Sequence, residues 1–325
     1  MCTRVLWQPA PDQHVLVGRN MDWRQSLGTN LWALPRGVER AGVGRGDPNP
    51  LRWTAFYGSV VATAYDAATT DGVNEAGLGA HLLWLAEAEF GDRDLAVPAV
   101  SVSLWAQYFL DRFGTVAGAV ASLAREPFQV RPQSDSRVGT FSTVHLALDD
   151  ALGDSAVIEF VGGEPQVHHS RDYTVMTNSP PFEQQLEHLK QYEGFGGDRP
   201  LPGTTEAADR FVRASYYRDR LPDVDSTPRA AAALLSVMRN VAQPFGTPDP
   251  LRPNISMTIW RTLADLTDRV YGFESSFSPD IVWTDLDELD FTRAARLDLT
   301  EEGLVGEVTG RYQPMPAFTF ELVDA

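Results

Sequence analysis

Residues 1–23 read MCTRVLWQPAPDQHVLVGRNMDW. The apolar run Val15-Leu16-Val17 leads as a strand into Gly18-Arg19-Asn20-Met21-Asp22-Trp23. Outward from it, Trp53 to Tyr65 is long, β-branched and aromatic, and reads as a second strand ending in an acidic turn from Asp66 to Asp71. Asp71-Gly72-Val73-Asn74-Glu75-Ala76-Gly77-Leu78 carries the turn chemistry of a tight reversal, with its second strand running from Leu78 to about Leu85. From Pro98 the period changes. Val102, Trp105, Phe109 and Phe113 recur at helical spacing, and after Gly114 so do Val116, Val120 and Leu123, which predicts two consecutive helices.

Between Gly139 and Thr177 the alternation of strands returns. Phe141, Thr143, His145 and Ala147 alternate, and Ala156 to Val161, Val167 to His169 and Tyr173 to Met176 follow after turn clusters, so a four-stranded meander is expected. Gly194 to Gly203 reads as a loop. Thr205 to Tyr217 and Pro228 to Val241 read as helices, the latter with proline in its first turn. Ile255 to Leu263, Val270 to Glu274 and Ile281 to Asp285 read as three more strands. No internal repeat or composition break divides the chain. The alternation of strand and helix groups predicts an α+β protein with two sheets covered by helices. A length of 325 residues is compatible with two domains, but a single layered domain stays open.

Composition narrows the partners. With 27 basic and 44 acidic side chains the net charge is −17, and such a surface repels phosphate backbones and anionic headgroups, so nucleic acid is not expected as a partner. No apolar run is long enough to span a bilayer, and the first twenty residues lack the layout of a signal peptide, so the chain is expected in the cytoplasm without a membrane span. A single cysteine, Cys2, rules out an intrachain disulfide.

Cys2 follows the initiator methionine, and removal of Met1 puts a thiol and a free α-amine on one residue. Such an amine has an ordinary pKa of about 7.7 to 8.0 against about 8.5 for the thiol, so it can take the thiol proton near neutral pH without a histidine. Position alone leaves open that Cys2 is an inert core residue. The six histidines offer no competing base or metal pair: His14 precedes a strand, His81 and His145 lie in apolar strands, His168 and His169 are adjacent, and His188 sits in a polar helix. No Gly-Xaa-Ser-Xaa-Gly elbow, phosphate loop or CxxC is present, and neither cofactor nor metal is expected.

Five blocks, in order, carry a resemblance: Met1-Cys2-Thr3-Arg4, Gly18 to Trp23, Asn74-Glu75-Ala76-Gly77-Leu78, Thr177-Asn178-Ser179-Pro180, and Leu201-Pro202-Gly203 followed by Asp209-Arg210-Phe211-Val212-Arg213. Together the chain resembles the choloylglycine hydrolase family, cysteine N-terminal nucleophile amidases that include bile salt hydrolases and penicillin V acylases. The resemblance implies a four-layer αββα sandwich, one amidase domain over residues 2–325, and a role for each matching residue. Cys2 is the implied nucleophile, with Arg19 and Asp22 beside it. A guanidinium there favours thiolate, and a carboxylate can bond the α-amine. Asn178 is the implied side-chain donor to the tetrahedral oxyanion and Arg210 an active-site arginine on a helix, whereas Arg213, one turn later, reads as structural or exposed.

Trp84 departs from the bile salt hydrolase pattern, which carries asparagine at the position reached by counting on from Asn74. A tryptophan there resembles the penicillin V and acyl homoserine lactone acylase branch, and its backbone N–H can still complete an oxyanion site. The alternative for Trp84 is plain strand packing. The implied activity is hydrolysis of a linear amide between a hydrophobic acyl group and a polar amine, on a small-molecule substrate. Conjugated bile salt hydrolysis and acyl transfer on the same fold are the alternatives, and a non-enzymatic ligand-binding protein is a third. The stretch from Asn178 to Arg210 is shorter than in typical bile salt hydrolases and lacks much of the loop that helps their tetramer assemble, so a homo-oligomer stays open.

Overall fold

The computed structural model describes residues 2–10, 13–135, 140–245 and 256–324. Two antiparallel sheets lie face to face. One has seven strands in the order Val175–Met176, Cys2–Trp7, Leu16–Trp23, Met257–Asp265, Val270–Ser275, Ile281–Asp285 and Gly306–Glu307, with only the last pair parallel. The other has nine, from Glu164–His169 through Ser155–Val161, Val144–Asp150, Leu78–Trp84, Ala68–Asn74, Ser59–Ala64 and Leu31–Leu34 to Ala295–Leu297 and Gln313–Pro314. Helices α1 (Val102–Arg112) and α2 (Val116–Arg125) cover the nine-stranded sheet. Helix α3 (Phe182–Leu189) packs on α4 (Ala207–Arg218), and α4 and α5 (Thr227–Asn240) cover the seven-stranded sheet. The result is a four-layer αββα sandwich.

With both faces of the seven-stranded sheet covered, Cys2–Trp7 is buried along its whole length and Leu16–Trp23 as far as Asp22, and parity decides what each side chain meets. Cys2, Arg4, Arg19, Met21 and Trp23 face the other sheet: Arg4 pairs with Asp149, Arg19 donates to the Leu82 carbonyl, and Trp23 packs on Trp84. Thr3, Gly18, Asn20 and Asp22 face the helices. Thr3 accepts from Arg210 on α4, and Asn20 donates to the Met238 carbonyl on α5. Gly18 lets α5 come close, since a Cβ there would lie 2.6 Å from Cγ of Met238.

The structure corrects three expectations. Trp53 to Tyr65 is two strands: Arg52–Thr54 pairs with Glu39–Ala41, and the chain leaves the ladder before Ser59 because the N–H groups of Phe56 and Tyr57 bond the Asp111 carbonyl near the end of α1, which has no intrahelical partner. The turn after Tyr65 is short, with Tyr65 and Asp66 in left-handed conformations and a strand beginning at Ala68. The meander has three strands in the nine-stranded sheet, and its expected fourth crosses to the other sheet. There Val175 and Met176 pair with Val5 and Arg4, covering an edge of the N-terminal strand that would otherwise stay unpaired. Gly139 and Ile255, the expected starts of two segments, lie outside the described residues, and the described strands begin at Val144 and Met257.

The reversal after Asn74 is tightly stapled. The Asn74 side chain accepts from the N–H groups of Ala76 and Leu78 and donates to the Leu110 and Phe113 carbonyls, while Gly77 takes the positive φ of 82° the turn demands. This ties the strand Leu78–Trp84 to the end of α1 and sets where Trp84 emerges.

Candidate active site

The first two strands pair in register, Cys2 opposite Met21 and Arg4 opposite Arg19. The Cys2 sulfur therefore points between the sheets, 3.8 Å from the Met21 sulfur and 3.6 Å from Nη2 of Arg19. The Arg19 guanidinium is wholly buried. Its Nη2 donates to the Leu82 carbonyl at 2.8 Å, and its Cζ lies 4.6 Å from the centre of the Trp260 ring.

The Cys2 nitrogen faces a different group of residues. It donates to Oδ1 of Asn178 at 2.5 Å, and Nδ2 of Asn178 donates to the Trp84 carbonyl at 2.6 Å. Arg210, fully buried on α4, donates to the Cys2 carbonyl and the Thr3 hydroxyl at 2.5 Å each and to Oδ1 of Asn178 at 2.8 Å. Its ion contact with Asp22 is 3.6 Å long. Burial pushes the Arg210 pKa down, and the charges of Asp22, Cys2 and Glu206 act the other way. Asp22 accepts from Thr258 at 2.5 Å and from Gln243 at 3.0 Å.

Asn178 is held from behind. Gln185 on α3 donates to the Asn178 and Pro180 carbonyls, and His145 bonds the Thr177 carbonyl with one nitrogen and Glu159 with the other. All six residues singled out from the sequence thus come together: Cys2, Arg19, Asp22, Asn178 and Arg210 form one buried cluster, and Trp84 joins it through its carbonyl. Arg213 donates to the Pro202 and Thr204 carbonyls and holds the loop ahead of α4, a structural place.

A cleft of about 150 Å³ opens on the sulfur, with Met21, Trp23, Leu27, Tyr65, Leu82 and Trp84 among its walls. Trp23 and Trp84 tilt together with ring centres 5.6 Å apart. Trp23 was not singled out as a wall residue, although its parity with Arg19 and Met21 on one strand marks it as facing the same space. Gln243 and Thr258, which hold Asp22, carry no local signal, because their meeting with it depends on α5 and a distant strand. Chemically, a thiol at the foot of an apolar cleft, with a guanidinium beside its sulfur and an amide at its nitrogen, suits acyl transfer to sulfur.

A profile described as linear amide C–N hydrolases, choloylglycine hydrolase family, matches residues 2–303. The chain belongs to the choloylglycine hydrolase family. Within this family, a penicillin V acylase of Pectobacterium atrosepticum is 41% identical, over 98% of this chain and 92% of its own length. The solved structure of penicillin V acylase from Agrobacterium tumefaciens superimposes with a TM-score of 0.89 at 42% identity, covering 98% of this chain and 99% of its own. A bile salt hydrolase/transferase of Clostridium perfringens is more distant, 25% identical over 85% of this chain and 89% of its own length. This choloylglycine hydrolase family member is a linear amide C–N hydrolase with the N-terminal nucleophile hydrolase fold. Among the described residues no helix is long and apolar enough to cross a membrane.

Proposed function

We propose that this hydrolase, working as one catalytic domain, uses Cys2 as its nucleophile once Met1 has been removed, and cleaves hydrophobic acyl amides of the penicillin V or N-acyl homoserine lactone kind. The observation that carries the reading is the division of Cys2 itself: its sulfur opens on an apolar cleft walled by Trp23 and Trp84, and its nitrogen rests on Asn178. The α-amine takes the thiol proton and the sulfur attacks the carbonyl. The second hydrogen of Nδ2 of Asn178, with the backbone N–H near Trp84, meets the oxyanion, and the C–N bond breaks as the α-ammonium gives its proton to the leaving amine. Water then attacks the thioester, its proton passes to the same amine, and the acid leaves with the thiol restored. Arg19 favours thiolate, while Asp22 and Arg210 hold the nitrogen side. No cofactor enters this scheme.

The test is a side-by-side panel of penicillin V, several acyl homoserine lactones and glycine- and taurine-conjugated bile salts, with protein whose first residue is verified by intact mass. Penicillin V or the long-chain lactones should lead in kcat/KM, and Cys2→Ala should abolish turnover while the protein stays folded. Full activity in a Met1-retaining preparation, or turnover at the parent rate in Cys2→Ala, overturns the mechanism. A lead for glycocholate or taurocholate overturns the substrate class alone. Acyl transfer to an added amine, seen as a new amide product, would mark the enzyme as a transferase.

A further inference from the structure

The Arg19 guanidinium is wholly buried and needs a counter-charge, yet its nearest carboxylate does not grip it. Among the described residues Asp71 is the only carboxylate within 4 Å of Arg19, with Oδ2 3.9 Å from Nε, beyond hydrogen-bond reach. Nε and Nη1 of Arg19 have no hydrogen-bond partner among the described residues, and Nη2 is the nitrogen that meets the Leu82 carbonyl and the Cys2 sulfur. Asp71 is occupied elsewhere: Tyr271 donates to Oδ1 at 2.6 Å, Thr262 donates to the same oxygen at 3.0 Å, and Nδ1 of His81 lies 2.6 Å from Oδ2.

A carboxylate has about four acceptor positions, and an unhindered one pairs with arginine through two parallel bonds. Here three neighbours take three of those positions, both of those on Oδ1 among them, which leaves no room for two parallel bonds. Such a pair with Asp71 would pull the guanidinium fork onto that carboxylate and draw Nη2 off the sulfur. We propose that Asp71, clamped by Tyr271, Thr262 and His81, is a positioning residue that compensates the charge of Arg19 at a distance and so leaves Nη2 aimed at Cys2. The clamp joins both sheets, since Tyr271 and Thr262 belong to one and Asp71 and His81 to the other. Its surroundings keep Asp71 ionised: burial works against the charge, but His81, Arg19 and Tyr271 hold its carboxyl below the ordinary range. Asp149, paired with Arg4, lies 3.5 Å from the far nitrogen of His81, an ion contact without a hydrogen bond.

The inference rests on Cys2 being the nucleophile, and its test separates the two. Cys2 is the chain's only cysteine, so its alkylation by iodoacetamide, followed by mass, reads the sulfur without any substrate. A displaced guanidinium should slow alkylation and lower kcat about 10- to 100-fold in Asp71→Asn, with KM changed less than about twofold. Tyr271→Phe, which removes one hydroxyl and keeps the ring, should show the same split more weakly and covers the case in which Asp71→Asn does not fold. Folded variants with the parent's alkylation rate, or a loss confined to KM, overturn the positioning role. Parent protein that alkylates readily yet turns over no amide in the panel overturns the proposed function and leaves the clamp standing.

Discussion

At the scale of single residues, the proposed roles divide into chemistry and binding, and substitutions should separate the two. Asn178 anchors the Cys2 nitrogen with its oxygen and meets the Trp84 carbonyl with its nitrogen. If its remaining hydrogen serves the oxyanion, Asn178→Ala should lower kcat by about 100- to 1000-fold and raise KM far less, because that charge exists only in the transition state. Steady-state kinetics decide it, and unchanged kcat with weaker binding would move Asn178 into the substrate pocket. Trp84 makes a different prediction. Its indole is tilted against Trp23 in the wall of the cleft, and if that wall receives the acyl group it should favour aryl and extended alkyl chains and obstruct a rigid steroid. Trp84→Asn should narrow the kcat/KM gap between penicillin V and conjugated bile salts. A gap that stays the same in the variant assigns Trp84 to packing alone.

Elements set the residues in place, and the strand Ser155–Val161 does so through one buried carboxylate. Helix α3 begins after Pro181, which offers no side-chain cap, and Glu159 supplies it from the neighbouring sheet by accepting the Phe182 N–H at 2.9 Å. The same carboxylate bonds His145, which in turn bonds the Thr177 carbonyl beside Asn178. Burial by itself would raise the pKa of Glu159. The His145 hydrogen bond, the His168 ring 3.7 Å away and the Phe182 N–H outweigh it and hold the carboxyl at about 2, against an ordinary 4.5. A depressed carboxyl stabilises the fold fully above its unfolded pKa, so this contribution should be intact above about pH 4.5 and fade as pH falls toward 2. Glu159→Gln should therefore cost up to about 3 kcal/mol at neutral pH and progressively less below pH 5. Urea unfolding of both proteins from pH 7 to pH 3 checks this, and a difference that does not shrink with acid would refute it.

At the scale of the whole molecule, the two sheets meet across ions as well as hydrocarbon. Arg4, from the seven-stranded sheet, is fully buried against Asp149 of the nine-stranded sheet, and it also donates to the Ser155 hydroxyl at 2.6 Å and the Tyr173 carbonyl at 2.8 Å. Removing one partner of such a pair strands the other charge in a dry interface. Asp149→Ala should cost about 3 to 5 kcal/mol of unfolding free energy, visible as a lower urea midpoint, and a variant as stable as its parent would show that the pair does not hold the sheets together. Most of the longer strands, four of the helices and the five motif blocks were legible because their signals are local: alternation, helical spacing, turn chemistry and a cysteine at position 2. Cys2–Trp7 was not read as a strand, since Thr3 and Arg4 are polar side chains buried by partners far along the chain and so break any apolar alternation.

The sequence by itself determined the α+β class, the order of most of the longer elements and the set of residues around Cys2, because propensity, periodicity and motif are written in neighbouring positions. Only the tertiary structure decided that Val175–Met176 joins the other sheet, that Trp23 and Trp84 share one wall, and that Asp71 stands behind Arg19 under the hold of Tyr271, Thr262 and His81. These depend on which strand edge is left to be paired and on which side chains two sheets present to each other when they close. Both are settled by packing between segments up to two hundred residues apart in the chain.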